Sequence, residues 1–149
     1  MRLSSRSILA SLCLALSIAG TAQAQTSFVS GLGQSWPNAT DVSSSPNYHV
    51  YVFDRNGTRY IQVNDVSGIV RGAFERTTYT IVGLPMGSDA ARLATQDQPL
   101  PAPASTAGVV VYDDGAVKVF VAPQADGTTQ MSAVASECKN PLECTSHGH

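Results

Sequence analysis

Two alternating runs of residues flank the dipeptide Asn56-Gly57, and this stretch limits the possible folds more than any other. A two-residue type I′ turn needs positive φ at both central positions, which Gly adopts freely and Asn tolerates. The turn predicts a hairpin over residues 48–64 in which Arg55 lies opposite Thr58 and Val50 lies opposite Val63. A three-residue loop with a G1 bulge is the alternative, and it would shift every pair.

This register sorts the hairpin side chains onto two faces. The aliphatic face, which indicates the protein core, carries Val50, Val52, Ile61 and Val63. The aromatic face carries His49, Tyr51, Phe53, Tyr60 and Gln62. These five residues either form a second buried layer, with the rings packed or lying under a long loop, or present an exposed surface to a ligand or partner. The second interpretation makes them the candidate binding site.

The first residues have the features of a bacterial secretory signal. Arg2 and Arg6 precede an apolar run over residues 8–19, and Ala22-Gln23-Ala24 matches a cleavage site. We therefore expect a signal peptide over residues 1–24, one β-domain over 25–136 and a polar tail over 137–149. The mature protein is expected in the periplasm or outside the cell, without a membrane span.

Charge limits the classes of partner. Removal of the signal leaves seven basic and eleven acidic residues, a formal charge of −4. No run of basic residues is present, so the composition argues against nucleic acid and against anionic membrane surfaces. An envelope or extracellular protein, or a small ligand, remains as the expected partner.

The remaining pattern predicts a mostly β fold of about seven or eight strands. Further strands are predicted over residues 26–30, 69–74, 78–84 and 128–136, and one short helix over 89–95. We expect an antiparallel meander that forms a sandwich or a partly open barrel, with at most one short helix. An α+β arrangement is the alternative.

A second hairpin is predicted over residues 108–122, with Asp114-Gly115 in a type I′ turn. That turn would pair Tyr112 with Val117 and Val110 with Val119. Both faces of this hairpin are largely apolar, so we expect it to be central rather than at a sheet edge.

Cys138 and Cys144 are the only cysteines beyond the signal. In an oxidising compartment they are expected to form a disulfide. A Cys₂His₂ metal site with His147 and His149 is the alternative, although the spacing is not that of a zinc finger. We therefore predict no metal site and no cofactor.

Two further residues have both a structural and a functional interpretation. Trp36, the only tryptophan, is expected to cover one end of the core, or else to stack on a ligand. His49 is expected to be a half-exposed strand residue, or else a catalytic base helped by Asp65 or a nearby serine. No motif for nucleophilic, metal-dependent or nucleotide chemistry occurs, so no catalytic residues are predicted.

Three functional hypotheses follow from these patterns. A non-catalytic binding or inhibitor module is favoured, because no catalytic constellation is visible and an aromatic surface is available. A structural or envelope-assembly protein that acts through a sheet edge is the second hypothesis. A hydrolase that uses His49 is the third.

Overall fold

The computed structural model describes residues 31–146, which fold into eight strands, a 3₁₀ turn and one short α-helix. The first sheet contains, in spatial order, β1 (Tyr48–Arg55), β2 (Thr58–Asp65), β3 (Val70–Arg76) and β4 (Ile81–Gly83). The second contains β5 (Leu93–Thr95), β6 (Val109–Asp113), β7 (Val117–Pro123) and β8 (Thr129–Ala135), in the spatial order β5-β8-β7-β6. The predicted mostly β fold is confirmed, and the two sheets do not close into a barrel. The predicted signal peptide, the strand over 26–30 and the histidines His147 and His149 lie outside the described residues.

The β1–β2 hairpin has the predicted turn and register. Asn56 and Gly57 both have positive φ, 50° and 79°. Arg55 pairs with Thr58, and the pairing continues in step to Tyr48 opposite Asp65. Near the turn, Arg59 Nε donates a hydrogen bond to Asp54 Oδ1 at 2.9 Å. The aliphatic face of this hairpin lies in the core, as predicted.

The register predicted for the second hairpin is wrong. Tyr112 pairs with Val119 and Val110 with Phe120, and the register shifts between them. Asp114 is not among the described residues with positive φ, so the turn is not type I′. Its carboxylate instead accepts hydrogen bonds from the backbone N–H groups of Ala116 and Val117, which closes a longer loop. In this hairpin β7 is central, whereas β6 ends the sheet.

The predicted helix over residues 89–95 is mostly replaced by a strand. Only Ala90–Arg92 form a 3₁₀ turn, and Leu93–Thr95 form β5, which pairs in parallel with β8. Leu93 packs against two glycines of the opposite sheet, where a Cβ on Gly72 or Gly83 would lie within 2.7 Å of its side chain. Burial of Leu93 between the sheets therefore overrides a local preference for helix.

The core lies between the two sheets. Its largest fully buried apolar side chains are Phe74, Ile61 and Met131, joined by valines of β1, β2, β6 and β7. Gly72 contributes by its lack of a side chain, and the β2–β3 register shifts next to it, which is a common position for a glycine inside a strand.

Loops and side chains cover parts of the sheet edges. Val42 N–H donates to Val50 O on β1, and Ser44 N–H donates to Val111 O on β6, so residues 41–45 bridge these two edges. On the other side, Ile81 and Gly83 of β4 donate to the side chains of Asp97 and Gln98.

Two charged contacts join the sheets. Arg59 on β2 forms an ion pair with Asp114 in the β6–β7 loop. Arg71 on β3 donates to Gly127 O and Thr129 Oγ1, and its Nε lies 2.6 Å from Asp89 Oδ2. The N–H of Arg71 Nε does not point at that oxygen, so the contact with Asp89 is an ion pair without a hydrogen bond.

The chain after β8 is held by a disulfide and a helix. Cys138 and Cys144 are bonded, which confirms the predicted disulfide and removes both thiolates from the alternative metal site. Pro141–Ser146 form α1, where the hydroxyl of Thr145 is hydrogen-bonded to Ser132 on β8. Within residues 31–146, no helix is long and apolar enough to cross a membrane.

Candidate functional site

The aromatic face of the β1–β2 hairpin is covered by residues 31–36, which we call the strap. Two buried amides of β2 hold it. Gln62 accepts a hydrogen bond from Gly33 N–H and donates to Gln34 O, and Asn64 donates to Ser35 O at 2.7 Å. Gln62 also donates to Asn64. A buried amide is costly unless it is hydrogen-bonded, so this pair fixes the strap in one position.

The strap decides which of the five predicted surface residues reach solvent. Tyr51 is 5% exposed, Phe53 is 7% exposed and Gln62 is fully buried. Gly31 lies against Phe53, so the ring is under the strap, which agrees with the interpretation of rings lying beneath a loop. His49 and Tyr60 remain partly exposed. The structure therefore does not bring all five together at the surface, and a binding role for His49 and Tyr60 stays a prediction.

Trp36, at the end of the strap, does not cover the core. Its side chain is 59% exposed. A Cβ built on Gly68 would lie 2.6 to 2.8 Å from three atoms of the indole, so one ring face lies flat on this glycine. Gly68 has φ of 86° and ends the turn over residues 65–68. The other ring face is left to solvent, and we call it, with its support, the Trp36 platform.

His49 borders the platform and is held by a carboxylate. The rings of Trp36 and His49 meet edge to face with centroids 5.2 Å apart, and the rings of His49 and Tyr51 stack with centroids 6.3 Å apart. His49 Nδ1 lies 2.8 Å from Asp41 Oδ2. A deprotonated Asp41 can only accept, so Nδ1 carries the proton and Nε2 of a neutral His49 is left as an acceptor.

Asp41 is fixed in the charged state by its neighbours. Partial burial raises the pKa of its carboxyl, but hydrogen bonds from His49, Val50 N–H and Ser43 N–H outweigh burial and hold the pKa below 3.8. The same carboxylate therefore orients His49 and joins the segment before β1 to the strand.

Among residues 31–146, the catalytic set of the third hypothesis, His49 with Asp65 or a nearby serine, is not assembled. The acid beside His49 is Asp41 rather than Asp65, whose Oδ1 accepts from Ser67 and Ile69 inside its own turn. Among residues 31–146, no serine hydroxyl is hydrogen-bonded to His49, and no group of three or more His, Cys, Asp or Glu side chains could hold a metal ion. A nucleophile adjacent to the base is the usual signature of acyl transfer, and the arrangement does not supply it.

No protein-family model, no curated protein and no solved structure matches this chain. The site is therefore interpreted from its own geometry.

Sequence reasoning missed one residue of this site and gave another two interpretations. Trp36 was expected to cover one end of the core or else to stack on a ligand, and its exposed ring contradicts the first interpretation and leaves the second as a prediction. No sequence pattern pointed to Asp41, because its contact with His49 depends on how the segment before β1 folds back along the strand.

Proposed function

We propose that the protein is an exported, non-catalytic binding module that contacts its partner through the Trp36 platform. The partner is an envelope or extracellular protein, or a small ligand, in the periplasm or outside the cell. The single observation that carries this proposal is an indole laid flat on Gly68 with its outer face in solvent.

A platform of this kind is suited to binding because the side chain loses little conformational entropy when a partner binds. The ring is supported on one face by Gly68 and makes an edge-to-face contact with His49, so its rotamer freedom is already reduced in the free protein. Tryptophan contributes a large apolar area per residue and is enriched among the residues that dominate binding energies.

The charges near the platform favour a basic group on the partner. Asp41 is hydrogen-bonded to His49, which contacts the indole, and Asp65, 3.8 Å from Arg71, begins the turn that carries Gly68. A Lys or Arg side chain stacked on the indole would gain a cation–π contact and would lie near these carboxylates. The formal charge of −4 over residues 31–146 also attracts a basic partner at longer range.

Other observations support a binding module over the two alternatives. The bridge of residues 41–45 and the side chains of Asp97 and Gln98 occupy edge groups that strand addition would use. Within the described part of the chain, His49 has an orienting acid but no hydrogen-bonded serine. The Cys138–Cys144 disulfide is typical of exported proteins.

The test compares capture from the envelope and extracellular fractions by the wild-type protein and by Trp36→Ala. We expect the variant to lose its specific partner, with affinity reduced about 30-fold or more, as for a dominant interface residue. The control is Tyr79→Ala, which removes a more exposed ring from the β3–β4 turn at the opposite end of β3. Equal affinity of wild type and Trp36→Ala for the captured partner would contradict the proposal.

A second readout uses the fact that Trp36 is the only tryptophan. Its fluorescence reports the platform alone, so partner binding is expected to shift the emission and to protect the ring from acrylamide quenching. Partner binding that leaves both signals unchanged would place the contact elsewhere on the molecule.

A further inference from the structure

A groove with a volume of about 640 Å³ lies on the second sheet, and no residue of the strap lines it. The Pro- and Ala-rich crossover before β6 forms one side, with Leu100, Pro101 and Pro103 in the lining. The 3₁₀ turn contributes Arg92, the β7–β8 turn contributes Asp126, and β8 contributes Gln130. This volume falls within the range of small-molecule sites.

The crossover is anchored at two points, so the groove is formed before any ligand arrives. Leu100 N–H donates to Thr145 O of α1 at one end. At the other end the amide of Gln124 both accepts from Ser105 N–H and donates to Ser105 O, each at 3.0 Å. Prolines between these anchors restrict the backbone further.

Gln130 differs from Gln124 because, among the described residues, only the nitrogen of its side-chain amide is hydrogen-bonded. Its Nε2 donates to Pro101 O at 3.1 Å, which fixes the orientation of the amide, because a carbonyl can accept only from the nitrogen. Among the described residues, no hydrogen bond reaches its Oε1, although the side chain is only 6% exposed. Oε1 is therefore an unpaired acceptor that keeps some access to solvent, on a side chain that lines the groove.

Two opposite charges line the same groove. Arg92 and Asp126 line the groove, and their closest charged atoms are 3.5 Å apart. Both side chains are well exposed, and such pairs contribute little net free energy. A ligand carboxylate can therefore replace Asp126 as the partner of Arg92 at little cost.

We propose that this groove binds an apolar aminoacyl carboxylate, which is the chemistry shared by a free apolar amino acid and by the C-terminal residue of a peptide. The apolar side chain packs on Leu100 and the prolines. The ligand N–H donates to Gln130 Oε1, and the carboxylate pairs with Arg92. This site is separate from the Trp36 platform and does not depend on the proposed function.

The experiment is a titration of the ¹⁵N-labelled protein, followed by NMR, with L-leucine, N-acetyl-L-leucine and N-acetyl-L-leucinamide. We expect shifts at the amides of Ala91, Ala102, Ala104 and Ala125 with a probe that carries a carboxylate, and at least tenfold weaker binding of the leucinamide. Tighter binding of L-leucine indicates a free amino acid, because its ammonium group adds a contact with Asp126. Tighter binding of N-acetyl-L-leucine indicates a peptide C-terminus.

A matched pair of variants tests the role of Arg92. Arg92→Ala is expected to weaken binding about tenfold, whereas Arg76→Ala, which removes the same charge from β3 outside the groove, leaves it unchanged. Neither residue is buried, so both variants are expected to fold. The proposal is overturned if no probe shifts the groove amides at millimolar concentration, if the leucinamide binds equally well, or if Arg92→Ala binds as the wild type does.

Discussion

The two hairpins of this protein look alike in sequence and are built differently. In the β1–β2 hairpin, Asn56 and Gly57 both adopt positive φ and the strands pair without interruption. In the β6–β7 hairpin, only Gly115 has positive φ, and the strands pair with a shift between Val110 and Tyr112. The comparison teaches that a turn glycine locates a hairpin, whereas the residue before it decides the register.

The physical difference lies in what the preceding side chain does. Asn56 tolerates the left-handed conformation, so a two-residue turn is stable there. The carboxylate of Asp114 accepts hydrogen bonds from the N–H groups of two later residues of the loop. It also forms an ion pair with Arg59 and accepts a hydrogen bond from the Tyr112 hydroxyl. These contacts stabilise a longer loop, and a bulge at Val111 then absorbs the changed register.

The largest expected effect tests that bulge. Val111→Ala removes a fully buried side chain and should lower the free energy of unfolding by about 2–3 kcal/mol from lost burial plus a cavity. Val110→Ala, at a half-buried position, should cost less than about 1 kcal/mol. Urea denaturation measures both. An uninterrupted register would reverse the order, because Val110 would then face the core.

The next effect compares the two turns directly. Asp114→Ala removes two hydrogen bonds from backbone N–H groups and the less exposed of the two partners of Arg59, and should destabilise the protein by about 2 kcal/mol. Asn56→Ala keeps the backbone but places Ala in a left-handed conformation, at a cost of about 1 kcal/mol. Asp54→Ala, which removes the more exposed partner of Arg59, is the control and should cost less than about 1 kcal/mol. An equal decrease in stability for Asp114→Ala and Asn56→Ala, measured by thermal unfolding, would show that the two turns are not stabilised differently.

The smallest effect is a dependence on pH. Partial burial raises the pKa of Asp114, but hydrogen bonds from Val117, Ala116, Arg59 and Tyr112 outweigh it and hold the pKa below 3.8. The stabilisation is therefore fully present above pH 3.8 and is lost as pH falls through the folded-state pKa. We expect the stability difference between wild type and Asp114→Asn to shrink as pH falls below about 4, which pH-dependent urea denaturation can measure. A difference that stays constant would show that the charge of Asp114 contributes nothing.

Features encoded within a few residues could be predicted from the sequence. The β1–β2 register depends on adjacent turn residues and an alternating pattern, and the Cys138–Cys144 disulfide depends on two cysteines close in the chain. Features that depend on distant contacts could not be predicted. β5 is a strand because Leu93 packs between the sheets, and α1 was missed because its position depends on packing against β8 and the disulfide.

The candidate site was predictable only in part, for the same reason. His49 and Gln62 were placed on the right face, since strand alternation fixes that. Gln62 and Asn64 alternate on β2 among apolar residues, and this pattern was an available sign that some backbone segment lies over them. The identity of that segment, and the contact of Asp41 with His49, depend on tertiary structure.

The parallel pairing of β5 with β8 has a consequence for folding kinetics. Leu93 and Met131 are neighbours across this pair but lie far apart in the chain, so joining them requires a large loop to close. The β1–β2 hairpin can form as soon as its own residues are available. The space beside Gly72 and Gly83 is filled by Leu93, whose strand pairs only with β8, so it is filled only after β8 is in place. We therefore expect assembly to proceed from the first hairpin towards β5 and to end with the insertion of Leu93, the slow step of a chain that otherwise pairs locally.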